Sequence, residues 1–291
     1  MRALIAGGTG FIGKHLTRFL RDRNFDVVVV SRNPSKGIDY QSVHRYIDED
    51  TIVINLAGEN IASGRWTRWK KERILRSRVE TGRLLVEEIR KSPVKPSLFM
   101  QASAVGYYGI SDEDEFTEDS PPGDDFLSRV VVEWENSTAD VEKMGIRRIL
   151  LRLGVVLGRN GGAYPRLSLP FRIGLGGPVG SGMQWMSWIH IRDVLRAVEF
   201  LIFHESASGP FNITSPEPVR NMDFSRALCD ILKKPCFFRV PSFVLRLLFG
   251  EMAEYLILSG QKVIPRRLMD MGFSFLFPNI RTALEELEGA R

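Results

Sequence analysis

Cysteine is nearly absent: Cys229 and Cys236 are the only two in 291 residues, and no histidine stands between them to complete a metal set. That scarcity excludes a disulfide framework and a structural zinc site, so both are expected as buried thiols or bystanders, with no metal bound. No apolar run approaches the roughly 18 residues of a membrane span, so a membrane is not expected as a partner. The first run, MRALIAGG, meets glycine after six residues, too soon for a secretory signal, and a cytoplasmic location is expected. Lys and Arg exceed Asp and Glu by 5, yet they are scattered rather than gathered into a stripe. Nucleic acid is therefore not the expected partner; a mild positive field suits an anionic cofactor and an anionic substrate equally well. There is no internal repeat and no low-complexity segment.

What is present is an alternation of short apolar strands and longer amphipathic helices. RALIA (2–6) passes straight into GGTGFIGKHLTRFL, where Phe11, Ile12, Leu16, Phe19 and Leu20 recur at helical spacing. DVVVVS (26–31) is a strand continuous in valine, as expected when both faces of a parallel strand are covered, and TIVINL (51–56), SLFMQAS (97–103) and RRILLRL (147–153) read as further strands. Helices are expected at about 66–91, 125–144, 192–203, 221–233, 243–259 and 280–287, with a short strand at 211–214. The pattern predicts an α/β fold, a doubly wound parallel sheet of Rossmann type with a small C-terminal substrate-side region. Residues 1–235 are expected to form the nucleotide-binding domain, with insertions at about 160–190, and 236–291 a small helical domain. The glycine- and proline-rich tracts GRNGGAYP and GLGGPVGSG suggest a functional rim. DEDEFTED (112–119) reads as a solvated acidic loop.

Gly7, Gly10 and Gly13 form G-x-x-G-x-x-G between a strand and a helix. Glycine there permits a tight turn and close approach of a pyrophosphate, and the helix N-terminus, opened by Phe11 and Ile12, offers unpaired N–H groups. A dinucleotide is the cofactor this predicts. Domains selective for NAD place Asp or Glu at the end of the second strand, and here Ser31 and Arg32 stand instead. A guanidinium pairs with a 2′-phosphate that a carboxylate would repel, so NADP(H) is expected; the alternative leaves Arg32 a solvated turn residue.

GGTGFIG, NLAGEN, SAVGYYG and WIHIRD, with GEMAEYL, GQKVIP and MGFSFLFP near the C-terminus, resemble the epimerase-family branch of the atypical short-chain dehydrogenase/reductases. That branch is related to the extended NAD-dependent epimerase/dehydratases. The resemblance spans essentially the whole chain. It implies an NADP-binding fold and an oxidoreductase- or sugar-nucleotide-epimerase-like enzyme acting on a small molecule, a nucleotide sugar or another carbonyl compound. It places Leu56 and Ala57 against the cofactor ribose and Arg78 near the cofactor side. Asn60, Gly64, Arg65 and Trp66 follow the strand end NLAG and so fall on the carboxyl edge of the sheet, as candidate substrate contacts. Gln184 and Trp185, after the GSG loop, are candidates for contact with a substrate ring; core packing is the alternative for both.

The proton donor of short-chain dehydrogenases, a Tyr with Lys four residues on, is missing. None of the six tyrosines has that partner, and the helix where the pair would sit reads DDFLSRVVVEWE. Ser103, Tyr107 and Tyr108 remain as the catalytic candidates. His190 and Asp193 are expected to be architectural. A second functional class therefore stays open: a catalytically silent NADP(H)-binding module that senses redox state or binds a partner. Oligomeric state cannot be read from the sequence.

Overall fold

A computed structural model describes residues 1–289. Its centre is a six-stranded sheet of β1 (Arg2–Ala6), β2 (Asp26–Val30), β3 (Thr51–Asn55), β4 (Leu98–Ala104), β5 (Arg147–Leu153) and β6 (Gly209–Ile213). The spatial order is β6-β5-β4-β3-β1-β2, and every pairing is parallel. The chain runs outward from β1 to β2, then crosses back to β3 on the other side of β1. The crevice between β1 and β3 is therefore the topological switch point, where an open α/β sheet binds its ligands.

The apolar strand runs follow from cores on both faces. Ala3 and Ile5 of β1, Ile52 and Ile54 of β3 and Leu98 and Met100 of β4 enter one core with α1 (Phe11–Arg21). Leu4, Ala6, Val53 and Phe99, on the alternate positions, enter a second with Leu85, Val86 and Ile89 of α2 (Arg68–Lys91). Period-two alternation between two buried faces makes most strand positions apolar, and each Leu or Ile so buried contributes about 1.5–3 kcal/mol.

Further helices are α3 (Phe126–Asn136), α4 (Tyr164–Arg172), α5 (Ile191–Phe203), α6 (Asn221–Leu232), α7 (Ser242–Phe249) and α8 (Ile280–Glu288). The expected helix at 125–144 stops at Asn136, because Ser137 and Thr138 donate their hydroxyls to the carbonyls of Trp134 and Glu135 and compete with the helical ladder; a short helix, Asp140–Lys143, follows. The expected helix at 243–259 is broken at Gly250, whose φ of 61° no helix accommodates.

C-terminal residues pack back onto the sheet domain rather than standing apart. Leu157, Tyr164, Trp188, Phe224, Leu228, Phe277, Ile280 and Leu284 share one core, and Asp193 accepts the N–H groups of Leu276 and Phe277 at 2.9 Å each. Another small core joins Trp66, Ile74 and Val130 to Met252 and Tyr255, so the C-terminal segment also covers the loop after β3. Among the described residues, no helix is long and apolar enough to cross a membrane.

Candidate functional site

The turn after β1 gives each glycine of the motif a different task. Gly7 has a φ of 79°, and a Cβ on it would lie 2.7 Å from the Leu56 carbonyl carbon, so it permits both the turn and the approach of β3. A Cβ on Gly13 would lie 2.2 Å from the Gly7 oxygen. Gly10 differs: its φ is −74°, and the only neighbour a Cβ would meet is that same oxygen at 3.2 Å. Space is kept open above Gly10. It is also the N-cap of α1 and offers no side-chain acceptor, so the N–H groups of Phe11, Ile12 and Gly13 find none among the described residues. Three uncapped donors over an open glycine, with the positive end of an 11-residue helix behind them, form an anion cradle. The residues present fit a pyrophosphate.

Phe11 contributes its backbone; its ring is clamped elsewhere. A Cβ on Gly158, Gly161 or Gly162 would come within 2.6, 2.3 or 2.8 Å of that ring. The first glycine-rich tract, expected as a functional rim, instead seats Phe11 and so fixes the entry of α1. Ile12 packs against the core beneath the sheet.

At the end of β2, Ser31 donates its N–H to Ile38 at 2.9 Å, and its hydroxyl oxygen accepts from Asn33 N–H at 3.1 Å. Its hydroxyl proton stays available. Arg32 is exposed and forms no ion pair among the described residues, beside the position where an adenosine 2′-substituent falls in this fold.

At the end of β3, Asn55 donates to Gln101 at 3.0 Å and accepts the Ala57 N–H at 3.1 Å, which sets the turn carrying Leu56 and Ala57 to the crevice. Arg78 lies behind this turn. It donates to the carbonyls of Ile74 and Glu59 at 3.0 Å each and covers the Trp134 ring at 4.8 Å, and burial lowers its pKa to about 10. Its guanidinium braces the strand end from the helix side. Lys70 and Glu59, which the sequence did not single out, hold the following loop. Lys70 donates to Glu59 at 2.7 Å and to Ser63 at 2.8 Å, and Arg73 reaches the other Glu59 oxygen at 2.7 Å. The Lys70 hydrogen bond, with Arg73 behind it, holds the Glu59 carboxyl below the usual range.

The three catalytic candidates at the end of β4 fall into different surroundings. Ser103, 1% exposed, donates to Glu135 at 2.5 Å. Glu135 receives both prongs of Arg152, at 2.9 and 3.0 Å. Arg152 continues to the Tyr108 hydroxyl at 3.0 Å, which donates to Asn212 at 2.7 Å. Burial raises the Tyr108 pKa to about 12, with Arg152 working against it. A phenol in that state gives up its proton reluctantly. Tyr107 stands apart: half-buried, it lies under the Arg152 guanidinium, 3.4 Å from ring centroid to carbon, and its hydroxyl has no partner among the described residues. The network runs on to Glu118, which accepts from the Asn212 N–H at 2.9 Å and whose carboxyl burial pushes upward. Glu118 corrects the reading of 112–119 as wholly solvated. Glu135, Arg152 and Asn212 were missed too, although an Arg inside the buried strand RRILLRL is itself a signal, since a buried charge needs a partner.

The substrate-side candidates separate likewise. Asn60 caps its own turn by accepting the Ala62 N–H at 2.9 Å. Gly64 has open space about its Cα, and Trp66 is buried against Phe126 and Tyr255. Arg65 donates to the carbonyls of Leu247 and Leu248, tying its loop to the end of α7. Gln184 is buried; its Nε2 donates to Val179 at 3.1 Å and Ile257 at 2.9 Å, while its Oε1 has no partner. Trp185 donates to the Asp112 carbonyl at 3.0 Å and carries Arg220 over its face at 3.8 Å. His190 caps α5 through Nδ1 and donates from Nε2 to Glu286 at 3.1 Å, so both it and Asp193 are architectural. Among the described residues, no cluster of His, Cys, Asp and Glu suits a metal.

The model of the NAD dependent epimerase/dehydratase family matches residues 3–214, and a domain of unknown function, DUF1731, matches 240–287. The chain is 41% identical to mouse epimerase family protein SDR39U1, over 99% of each. It is 38% identical to epimerase family protein YfhF of Bacillus subtilis, over 99% of this chain and 98% of that one. A crystal structure of human SDR39U1 with NADPH superposes with a TM-score of 0.93 at 39% identity, covering 100% of both chains. UDP-glucose 4-epimerase of Thermus thermophilus, solved with NAD, shares the fold at a TM-score of 0.76 and 19% identity, again over 100% of both.

Proposed function

The chain belongs to the NAD-dependent epimerase/dehydratase family, and on that premise we propose that it binds NADP(H) and exchanges a hydride with a small-molecule carbonyl or alcohol. The observation that carries this reading is the pairing at one switch point of an uncapped α1 over Gly10 with an exposed Arg32 that forms no ion pair among the described residues. The N–H groups of Phe11 to Gly13 hold the pyrophosphate, and Arg32 with Ser31 holds the 2′-phosphate. The human relative was solved with NADPH, which supports the same preference here.

When bound, the dinucleotide supplies the hydride chemistry. The chain's own part is to orient the substrate and move a proton. Tyr107 is the candidate hydroxyl free to meet a substrate oxygen, and Arg152 over its ring fixes its orientation. Ser103 and Tyr108, closed into the Glu135–Arg152 network, serve as the rigid floor beneath it. Nucleotide sugars, which several fold neighbours were solved with, are one substrate class; other carbonyl compounds are the second. A reductase would make the exchange once and release the cofactor, and an epimerase would make it twice.

The closed state of Ser103 and Tyr108 favours one other reading, a silent NADP(H)-binding module. Turnover separates them, and the co-purifying nucleotide tests the cofactor that both readings share. Mass spectrometry of freshly purified protein should find NADP(H) bound, and a carbonyl-compound screen should find NADPH consumption that Tyr107→Phe suppresses. Consumption that Tyr107→Phe leaves unchanged would remove Tyr107 from the chemistry. NAD(H) as the co-purifying nucleotide would overturn the cofactor assignment.

A further inference from the structure

The eight-residue helix α7, SFVLRLLF, buries none of its side chains. Val244 and Leu245 are half-buried, while Phe243, Leu247, Leu248 and Phe249 are left uncovered. Phe243 is 67% exposed and Leu247 71%. The segment leading to the helix adds Phe237, 89% exposed, and Phe238. The helix–loop 164–183 meets this segment edge to edge: Gly180 N–H donates to Val240 at 2.9 Å and Val240 N–H to Pro178 at 3.1 Å. That pairing sets Gly177 against the Phe238 backbone, with Leu175, Ile173 and Leu169, all exposed, on the chain just before it and at the end of α4. These large apolar side chains are held outward by fixed backbone. Phe237, at 89%, is the most exposed of them.

Within these segments the charge has one sign. No Asp or Glu occurs from 143 to 192, nor from 231 to 250. Lys233, Lys234, Arg239 and Arg166 are exposed and form no ion pair among the described residues. The flanking acids are paired, Asp230 with Arg281 at 3.1 Å, Glu251 with Lys71 at 2.5 Å and Glu254 with Arg246 at 2.8 Å. An exposed apolar face fringed by cations that form no ion pair among the described residues is complementary to an anionic lipid surface, into which Phe and Leu insert while Lys and Arg meet headgroups. A second copy of the chain suits it less, because a two-fold contact would set the same cations against each other.

We infer that α7 with segments 169–175 and 233–239 is a docking face for the anionic surface of a membrane, on which the protein lies without spanning. Flotation of the full chain with vesicles tests this. It should rise with phosphatidylcholine vesicles containing phosphatidylglycerol and bind pure phosphatidylcholine about tenfold more weakly or less. Phe243→Ser with Leu247→Ser, and separately Lys233→Glu with Lys234→Glu, should each weaken binding by about tenfold or more with unchanged thermal unfolding. If the apolar pair fails to fold, the exposed lysine pair still decides. No flotation with anionic vesicles, equal binding to both lipids, or a wild-type dimer that the apolar pair converts to monomer would overturn the inference.

Discussion

Among the described residues Arg32 forms no ion pair and the Tyr107 hydroxyl has no hydrogen-bond partner, and each carries a prediction. Removing a charge-assisted contact costs about 1.5–3 kcal/mol, so Arg32→Ala should weaken NADPH binding roughly ten- to a hundredfold and leave NADH nearly unchanged. Parallel titrations of both nucleotides check it, and equal wild-type affinities would count against the 2′-phosphate contact. Tyr107→Phe should lower turnover of a competent substrate by roughly 10²- to 10⁴-fold with little change in cofactor affinity. Glu135 works differently, because it joins Ser103 to Arg152 inside the protein. Glu135→Gln leaves a buried guanidinium without its counter-charge and should destabilise the fold by about 3–5 kcal/mol, measured by denaturant unfolding.

The strand–turn–helix unit at the N-terminus predicts a contrast between two of its glycines. Gly10 has an ordinary φ and open space beyond it, so Gly10→Val should fold, keep its far-UV circular dichroism and lose nucleotide binding. Gly13→Ala should instead lower the unfolding temperature, since its Cβ would collide with the Gly7 carbonyl. A folded Gly10→Val protein that still binds nucleotide would refute the phosphate cradle. The same element shows how sequence and structure divide. GGTGFIG was legible as a phosphate turn because its parts are neighbours along the chain. Its support by Gly158, Gly161 and Gly162 around the Phe11 ring was not, because that contact is made across the fold.

Over the whole molecule, the C-terminal segment is latched by groups that respond to pH. Burial lowers the His190 pKa, against the pull of Glu286, so the folded protein holds its imidazole neutral where the unfolded chain would take a proton. The unfolded state then binds more protons below about pH 6.5, and this contribution to stability is complete above that value and lost as pH falls. The unfolding temperature should drop between about pH 7 and pH 5, and His190→Asn, which keeps a cap for α5, should flatten that drop. Glu59, held below its ordinary pKa chiefly by Lys70, adds a loss at lower pH, while the raised Glu118 works in the opposite sense.

What the sequence determined by itself was local: apolar runs that need two covered faces, a glycine turn before a helix, a basic residue where NAD-selective domains keep an acid, and the missing Tyr and Lys. Each rests on residues within a turn or two of one another, so spacing alone carries the physics. What only the tertiary structure decided is which hydroxyl is free. Ser103 and Tyr108 read as well as Tyr107 along the chain, yet β5 places Arg152 opposite Ser103, and α3 brings Glu135 over both. A buried charge must find its counter-charge and its hydrogen bonds, and those partners come from strands and helices that only the folded sheet makes neighbours.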